Sequence, residues 1–418
     1  MAGRAPAVSA RACLGCAAPL GDPFLDLGAQ PLANALLRPE DAARPEPRLP
    51  LAVAYFARCH LVQLTETAPP ETLFGDYVYF SSYSESFLAH ARAMADALVA
   101  RFALGPERRL LEIASNDGYL LRFVQAHGVP VLGVEPAQNV AEVARARGIP
   151  TLARFFGPDA VDEIVRDFGF AAVIVGNNVL AHVPGINAFL ESVAACLTPD
   201  GAAVFEFPYL GELLARTAFD TIYHEHVFYY SLAAVARLAG RAGLEVFDVE
   251  RQTVHGGSLR VYLQRAGARP IAAAVGRLAG EETAAGLTTA ARYAGFSREV
   301  QRVCAELKAL LRRLRGEGKR LAAYGAPAKG TVLLNACGIG TDLLEFTVDR
   351  SPHKQGRLVP GVRLPIRPPE DLVKAMPDVT LLLAWNLADE IVGQQAEYLR
   401  RGGRFLVPVP APRLLGGS

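Results

Sequence analysis

The 418-residue sequence has no apolar run of membrane-spanning length, and its N-terminus, MAGRAPAVSARACLG, carries arginines without the apolar core of a secretory signal. These absences point to a cytoplasmic protein. Charge of one sign is also lacking: Lys+Arg 43 against Asp+Glu 42 leaves a net +1, too little for nucleic-acid or anionic-membrane binding. Any anion site must be local. Cysteine is scarce, six residues in all, and only Cys13 and Cys16 are closely spaced; Cys59, Cys196, Cys304 and Cys337 are scattered, which excludes a secreted disulfide framework. The length asks for more than one core.

Also missing are the phosphate-cradling glycines of a dinucleotide site. The stretch that most needs them is 109–135, RLLEIASNDGYLLRFVQAHGVPVLGVE, which reads as strand, turn, helix and strand. Glu135 ends the second strand about twenty residues past the turn, where an acid receives both ribose hydroxyls of a nucleoside. The turn itself, Ala114 to Gly118, holds one glycine, with Asn116 and Asp117 ahead of it. Such an acidic turn repels a pyrophosphate but tolerates the sulfonium and zwitterionic end of S-adenosylmethionine, with Glu112 and Glu135 at the strand ends. An ordinary βαβ unit with a glycine turn is the plainer alternative. The apolar run 171–175 predicts a buried parallel strand ending at Asn177 and Asn178, with His182 soon after. Ligands sit beyond the carboxyl ends of strands in open α/β sheets, so these three side chains point at the site, and the domain reads as doubly wound α/β.

Ahead of this domain, 75–83 gathers Tyr77, Tyr79 and Tyr83 around Ser81, a stretch suited to lining a polar ligand and leading into a helix over 84–103. Further upstream, Cys13 and Cys16 form a CxxC knuckle and Cys59 a third thiol, but Phe56 stands where a second knuckle needs a cysteine. His60 is the remaining candidate for a fourth ligand. A structural zinc ion and a metal-free knuckle held by packing both fit these residues.

The densest chemistry is Tyr223-His224-Glu225-His226. In an extended loop alternate side chains point apart, which argues against one metal ion; an imidazole oriented by a carboxylate suits general-base work. A hydrogen-bonded surface loop is the alternative. His90 and His127 fall on helix positions and read as surface residues. Beyond 250, a second βα-alternating pattern begins with His255-Gly-Gly-Ser-Leu-Arg260 and includes Gly325-Ala-Pro-Ala-Lys329-Gly330, where Lys329 beside a helix N-terminus can meet a phosphate. This is not a P-loop, and a structural turn with a solvated lysine fits almost as well.

The blocks LDLGAQPLANALL, CHLVQL, GDYVYFSSYSESF, LEIASNDGYLL, GVEPAQNVA, NNVLAHV, YHEHVFYYSL, HGGSLRVY and YGAPAKG, in order along nearly the whole chain, resemble the nucleotide-sugar C-methyltransferases of deoxysugar biosynthesis. The resemblance implies a class I S-adenosylmethionine methyltransferase domain over 71–250, an N-terminal zinc-binding domain over 1–70 and a C-terminal α/β domain over 251–418. It implies methylation at C-3 of a TDP-linked 4-keto-deoxysugar by a monomer or small homo-oligomer, with C-5 methylation or NAD-dependent sugar reduction as rivals. It makes His226 the base, with Tyr223, Glu225, His182 and Tyr77 beside it. The cofactor then falls to Glu112, Ala114, Asn116, Gly118, Glu135, Asn177 and Asn178, and the sugar nucleotide to Tyr79, Ser81, Tyr83, His224, Arg260 and Lys329. Two departures stand out: Phe56 replaces a zinc-site cysteine, and Ala114 replaces a glycine that usually opens the cofactor turn.

Overall fold

The computed structural model describes residues 8–9, 12–68, 82 and 85–416, the side chains of 8–9, 85–87 and 255 excepted. Tyr77, Tyr79, Ser81 and Tyr83 therefore lie outside the described residues.

Three sheets organise the chain. The central one has seven strands in the order Leu244–Gln252, Ser258–Arg265, Leu197–Pro208, Ala171–Asn177, Leu110–Ile113, Val131–Val134 and Thr151–Leu152. Its inner parallel strands Leu110–Ile113, Val131–Val134 and Ala171–Asn177 are short and mostly apolar, as strands covered on both faces are, and Leu110–Ile113 is buried throughout. Leu110–Ile113 is first in sequence yet lies mid-sheet, parallel to Val131–Val134 on one side and to Ala171–Asn177 on the other. The chain thus winds outward in both directions from one point, and the crevice at that point receives the loop 114–118 and Asn177. The reversed strand Ser258–Arg265 pairs antiparallel with both neighbours.

The C-terminal sheet repeats this logic with Leu321–Tyr324 between Thr347–Val348 and Val379–Leu382, all parallel. Its switch point receives the helix Ala328–Cys337 and Trp385. The N-terminal module is a four-stranded sheet of Leu25–Pro31, Arg48–Phe56 and Leu61–Leu64 whose edge is completed by Phe228–Tyr229, one residue beyond the histidine tetrapeptide. The module is thereby stitched to the loop that carries the candidate base. The fold is a doubly wound α/β domain with an N-terminal three-cysteine module and a second α/β domain. Among the described residues no helix is long and apolar enough to cross a membrane.

Candidate active site

The cofactor turn is tight because three of its residues take left-handed backbone: Ala114 at φ 55°, Asn116 at 50° and Gly118 at 77°. Asparagine and glycine accept this at little cost, whereas alanine gives up about 1–2 kcal/mol. A Cβ on Gly118 would also strike Ile149. The turn is closed from across the sheet by Glu135, whose two oxygens accept the backbone N–H groups of Asn116 and Ala137, each at 3.0 Å. Glu135 is therefore held rigidly where a ribose would lie, and burial raises its pKa. Asp117 differs from the sequence expectation: it accepts from Arg147 at 2.8 Å and from Ser82 at 2.5 Å, so its charge is matched within the protein. The acid left to meet a cation is Glu112.

Glu112 is wholly buried at the end of its strand, and burial pushes its carboxyl well up against the pull of the nearby Tyr119 hydroxyl. Tyr119 in turn accepts from Asn177 Nδ2 at 3.1 Å. Neither oxygen of Glu112 finds a hydrogen-bond partner among the described residues, nor do Ser115 Oγ, Asp117 Oδ1 and Asn177 Oδ1. Buried polar atoms are seldom left unpaired, so five of them around one turn mark where a polar ligand completes the structure. The residues fit S-adenosylmethionine: a fixed acid for the ribose, an unpaired acid for the cationic end and no glycine cradle for a pyrophosphate.

The tetrapeptide is not extended. His226 N–H donates to Tyr223 O at 2.9 Å, closing a four-residue turn that brings Tyr223 and His226 to the same side with ring centroids 4.1 Å apart. The expected alternation fails because the turn, not a strand, sets side-chain directions. His226 Nδ1 lies 3.0 Å from Thr221 O, and a carbonyl can only accept, so Nδ1 carries the proton and Nε2 the lone pair. Tyr223 O–H then donates to Nε2 at 3.0 Å. His182 shows the same arrangement, Nδ1 donating to Glu225 O at 2.5 Å, and burial lowers its pKa. The two imidazoles stand 5.0 Å apart. Glu225 accepts from Asn34 Nδ2 at 3.1 Å and His224 contacts Leu49 O at 3.3 Å, so both reach the N-terminal module instead of a shared ion.

A second group of unpaired buried atoms lies here: Asp220 Oδ1, His224 Nδ1, Glu225 Oε2 and Tyr229 O–H. Asp220 Oδ2 accepts from the indole of Trp385, the chain's single tryptophan, at 2.6 Å. Lys329 sits 4.9 Å over the Trp385 ring, donates to Asn386 at 3.0 Å and has its pKa lowered by burial. Lys329 is thus near the loop and is not a solvated surface lysine. Arg260 is elsewhere: directly opposite Glu206 and Glu250 across its two strand pairings, it donates to them at 2.8 and 3.2 Å, so its guanidinium serves a buried ion network in place of the expected phosphate. His90, expected on the surface, joins this network through Glu206 at 2.9 Å. His127 is exposed beside Asp96, as expected. Asn34, Asp220, Tyr229 and Trp385 had no flag in the sequence; only the rarity of tryptophan and the position of Asp220 just ahead of the tetrapeptide could have raised two of them.

Cys13, Cys16 and Cys59 converge, their sulfurs all within 4.8 Å of one another and all buried, and Cys59 draws the Cys13 thiol down to about 6. Three soft thiolates suit zinc, which would cross-link the two turns that carry them. His60 is not among them, since its Nδ1 bonds the Tyr55 hydroxyl at 2.8 Å.

Family models match residues 13–74 (zinc binding domain), 87–249 (methyltransferase domain) and 253–410 (C-methyltransferase C-terminal domain). The chain is 40% identical over 401 residues to C-methyltransferase NovU of Streptomyces niveus, covering 95% of this chain and 96% of that one. Among solved structures, an Anabaena variabilis SAM-dependent methyltransferase is 15% identical over 41% of this chain and 83% of its own, with a TM-score of 0.34. The magnesium protoporphyrin IX methyltransferase of Synechocystis, solved with bound SAH, is 14% identical over 47% and 92%, also at 0.34. With its cofactor turn, its three-cysteine module and near full-length kinship, the chain belongs to the C-methyltransferase family and is an S-adenosylmethionine-dependent C-methyltransferase.

Proposed function

We propose that the methyl acceptor is a TDP-linked 4-keto-deoxysugar, methylated at C-3, with His226 as the base. The observation that carries this reading is the distribution of unpaired buried polar atoms: of eleven among the described residues, five surround the cofactor turn and four surround the tetrapeptide. Two polar ligands in adjacent places account for both groups.

A ketone at C-4 acidifies the neighbouring C–H, because the charge formed moves onto oxygen. His226 Nε2, its lone pair fixed by the Nδ1 bond to Thr221, takes the C-3 proton. Tyr223 O–H, which meets His226 Nε2 at 3.0 Å, turns to donate to the developing enolate oxygen as that nitrogen takes the proton, and Tyr77 would join it; Glu225 with His224 hold the sugar, while His182, whose N–H is spent on Glu225 O, stands beside His226 without donating. S-adenosylmethionine supplies an electrophilic methyl group to the carbanion. Glu112, Ala114, Asn116, Gly118, Glu135, Asn177 and Asn178 bind it. Lys329, at the first turn of the helix Ala328–Cys337, faces the diphosphate, while Arg260 drops out. The functional units are 1–70, 71–250 and 251–418.

Incubation with S-adenosylmethionine and a panel of TDP-4-keto-sugars, read by mass and NMR, tests this. The expected result is a product one methyl group heavier, substituted at C-3. A methyl group at C-5 would move the position but keep the base, and no methylation of any 4-keto-sugar would refute the acceptor class.

A further inference from the structure

The two cysteine-bearing turns share one backbone and carry unequal side chains. In the first, Ala17 N–H donates to Cys13 O at 2.9 Å and Ala17 takes φ 58°; in the second, His60 N–H donates to Phe56 O at 2.7 Å and His60 takes φ 61°. Each turn presents its first and fourth residues together, Cys13 with Cys16 and Phe56 with Cys59. The first turn offers two sulfurs and the second only one. Phe56 is 4% exposed, so a buried phenyl group occupies the position from which a fourth thiolate would reach.

Among the described residues no neighbour replaces it. His60 is turned to Tyr55, with ring centroids 6.3 Å apart, and residues 1–12 contain no cysteine, histidine, aspartate or glutamate. Among the described residues the group that can hold a metal ion consists of Cys13, Cys16 and Cys59 alone. The turns are nonetheless kept in place from outside. Asn187 donates to Leu14 O and Gly15 O at 3.2 and 3.0 Å, and Leu14 N–H donates to Gln63 at 2.9 Å. The site is built for zinc at three corners of a tetrahedron.

We propose that zinc here is held by three protein thiolates and keeps its fourth position for one small exogenous donor, water or an added thiol, because Phe56 stands where the fourth protein ligand belongs. Closed four-ligand sites hold zinc as a permanent cross-link, while an open position allows ligand exchange and faster metal loss. This inference rests on the sulfur geometry and is independent of the methyl acceptor.

Cobalt substituted into the full-length protein reads the coordination directly. Sulfur-to-cobalt charge-transfer absorbance of the native sequence should be about three quarters of that of Phe56→Cys, and Cys59→Ser about two thirds of native, following the thiolate count. Added 2-mercaptoethanol should shift the visible bands of the native protein and leave Phe56→Cys unchanged. Zinc transfer to a chromophoric chelator should be about tenfold or more faster from the native protein than from Phe56→Cys. Equal spectra for the two proteins, or failure of the native protein to take up one cobalt, would overturn the proposal. Should Phe56→Cys not fold, the thiol titration of the native protein decides alone: an unmoved spectrum refutes the open position.

Discussion

At the scale of single residues, the chemistry depends on which atoms are already satisfied. His226 has its Nδ1 proton committed to Thr221, which leaves Nε2 as the acceptor that meets the Tyr223 hydroxyl; Glu112 is wholly buried, with the Tyr119 hydroxyl nearby and no hydrogen bond of ordinary geometry to either oxygen. Burial holds the Glu112 pKa well above its ordinary value. The folded protein therefore keeps a proton that the unfolded chain sheds, and stability without cofactor falls as pH rises through the window above the ordinary carboxylate value. Glu112→Gln should flatten that part of the curve of melting temperature against pH; an unchanged slope would mean that other buried acids set it. Much of this was legible in the sequence, since Glu112, Glu135, Asn177, His182 and the tetrapeptide all follow strand ends or cluster by type. Asp117 and Arg260 misled because charge in a sequence says nothing of its partner, and both are neutralised by residues 30 and 54 positions away.

At the scale of elements, the helix Leu232–Arg241 shows how the loop is anchored. Its first turn is capped by Ser231 Oγ, which accepts from Ala234 N–H at 3.1 Å, and by the buried Glu282, which accepts from Leu232 and Ala233 N–H at 2.6 and 3.0 Å. A carboxylate at a helix N-terminus satisfies unpaired donors and the helix dipole together. Ser231→Ala should cost about 1 kcal/mol, and Glu282→Ala about 1–3 kcal/mol, in denaturant unfolding. A smaller loss for Glu282→Ala than for Ser231→Ala would show that the distant cap is redundant. The Ser231 cap is local and readable from the chain; the Glu282 cap is not, because its partner comes from a helix fifty positions on. Element boundaries are local too: the helix expected over 84–103 is found at Glu85–Arg101, because its apolar positions recur at helical spacing.

At the scale of the whole molecule, all three sheets meet at the loop 220–230. The N-terminal sheet takes Phe228–Tyr229 as its edge, the central sheet supplies His182, and the C-terminal sheet reaches in through Trp385 to Asp220. Removing the indole donor leaves a buried carboxylate with one contact fewer, one residue from the carbonyl that fixes His226. Trp385→Phe should lower kcat by about tenfold to hundredfold with S-adenosylmethionine affinity unchanged. A normal kcat would uncouple the C-terminal sheet from the loop. Such convergence of distant segments is invisible to local periodicity. The account's central claim is that His226 removes a proton beside the ketone, and hydrogen–deuterium exchange isolates that step from methyl transfer. With TDP-4-keto-6-deoxyglucose in D2O and a non-transferring cofactor analogue, NMR should show deuterium entering C-3 with the native enzyme and not with His226→Asn. Exchange that persists in His226→Asn at the native rate would contradict the account.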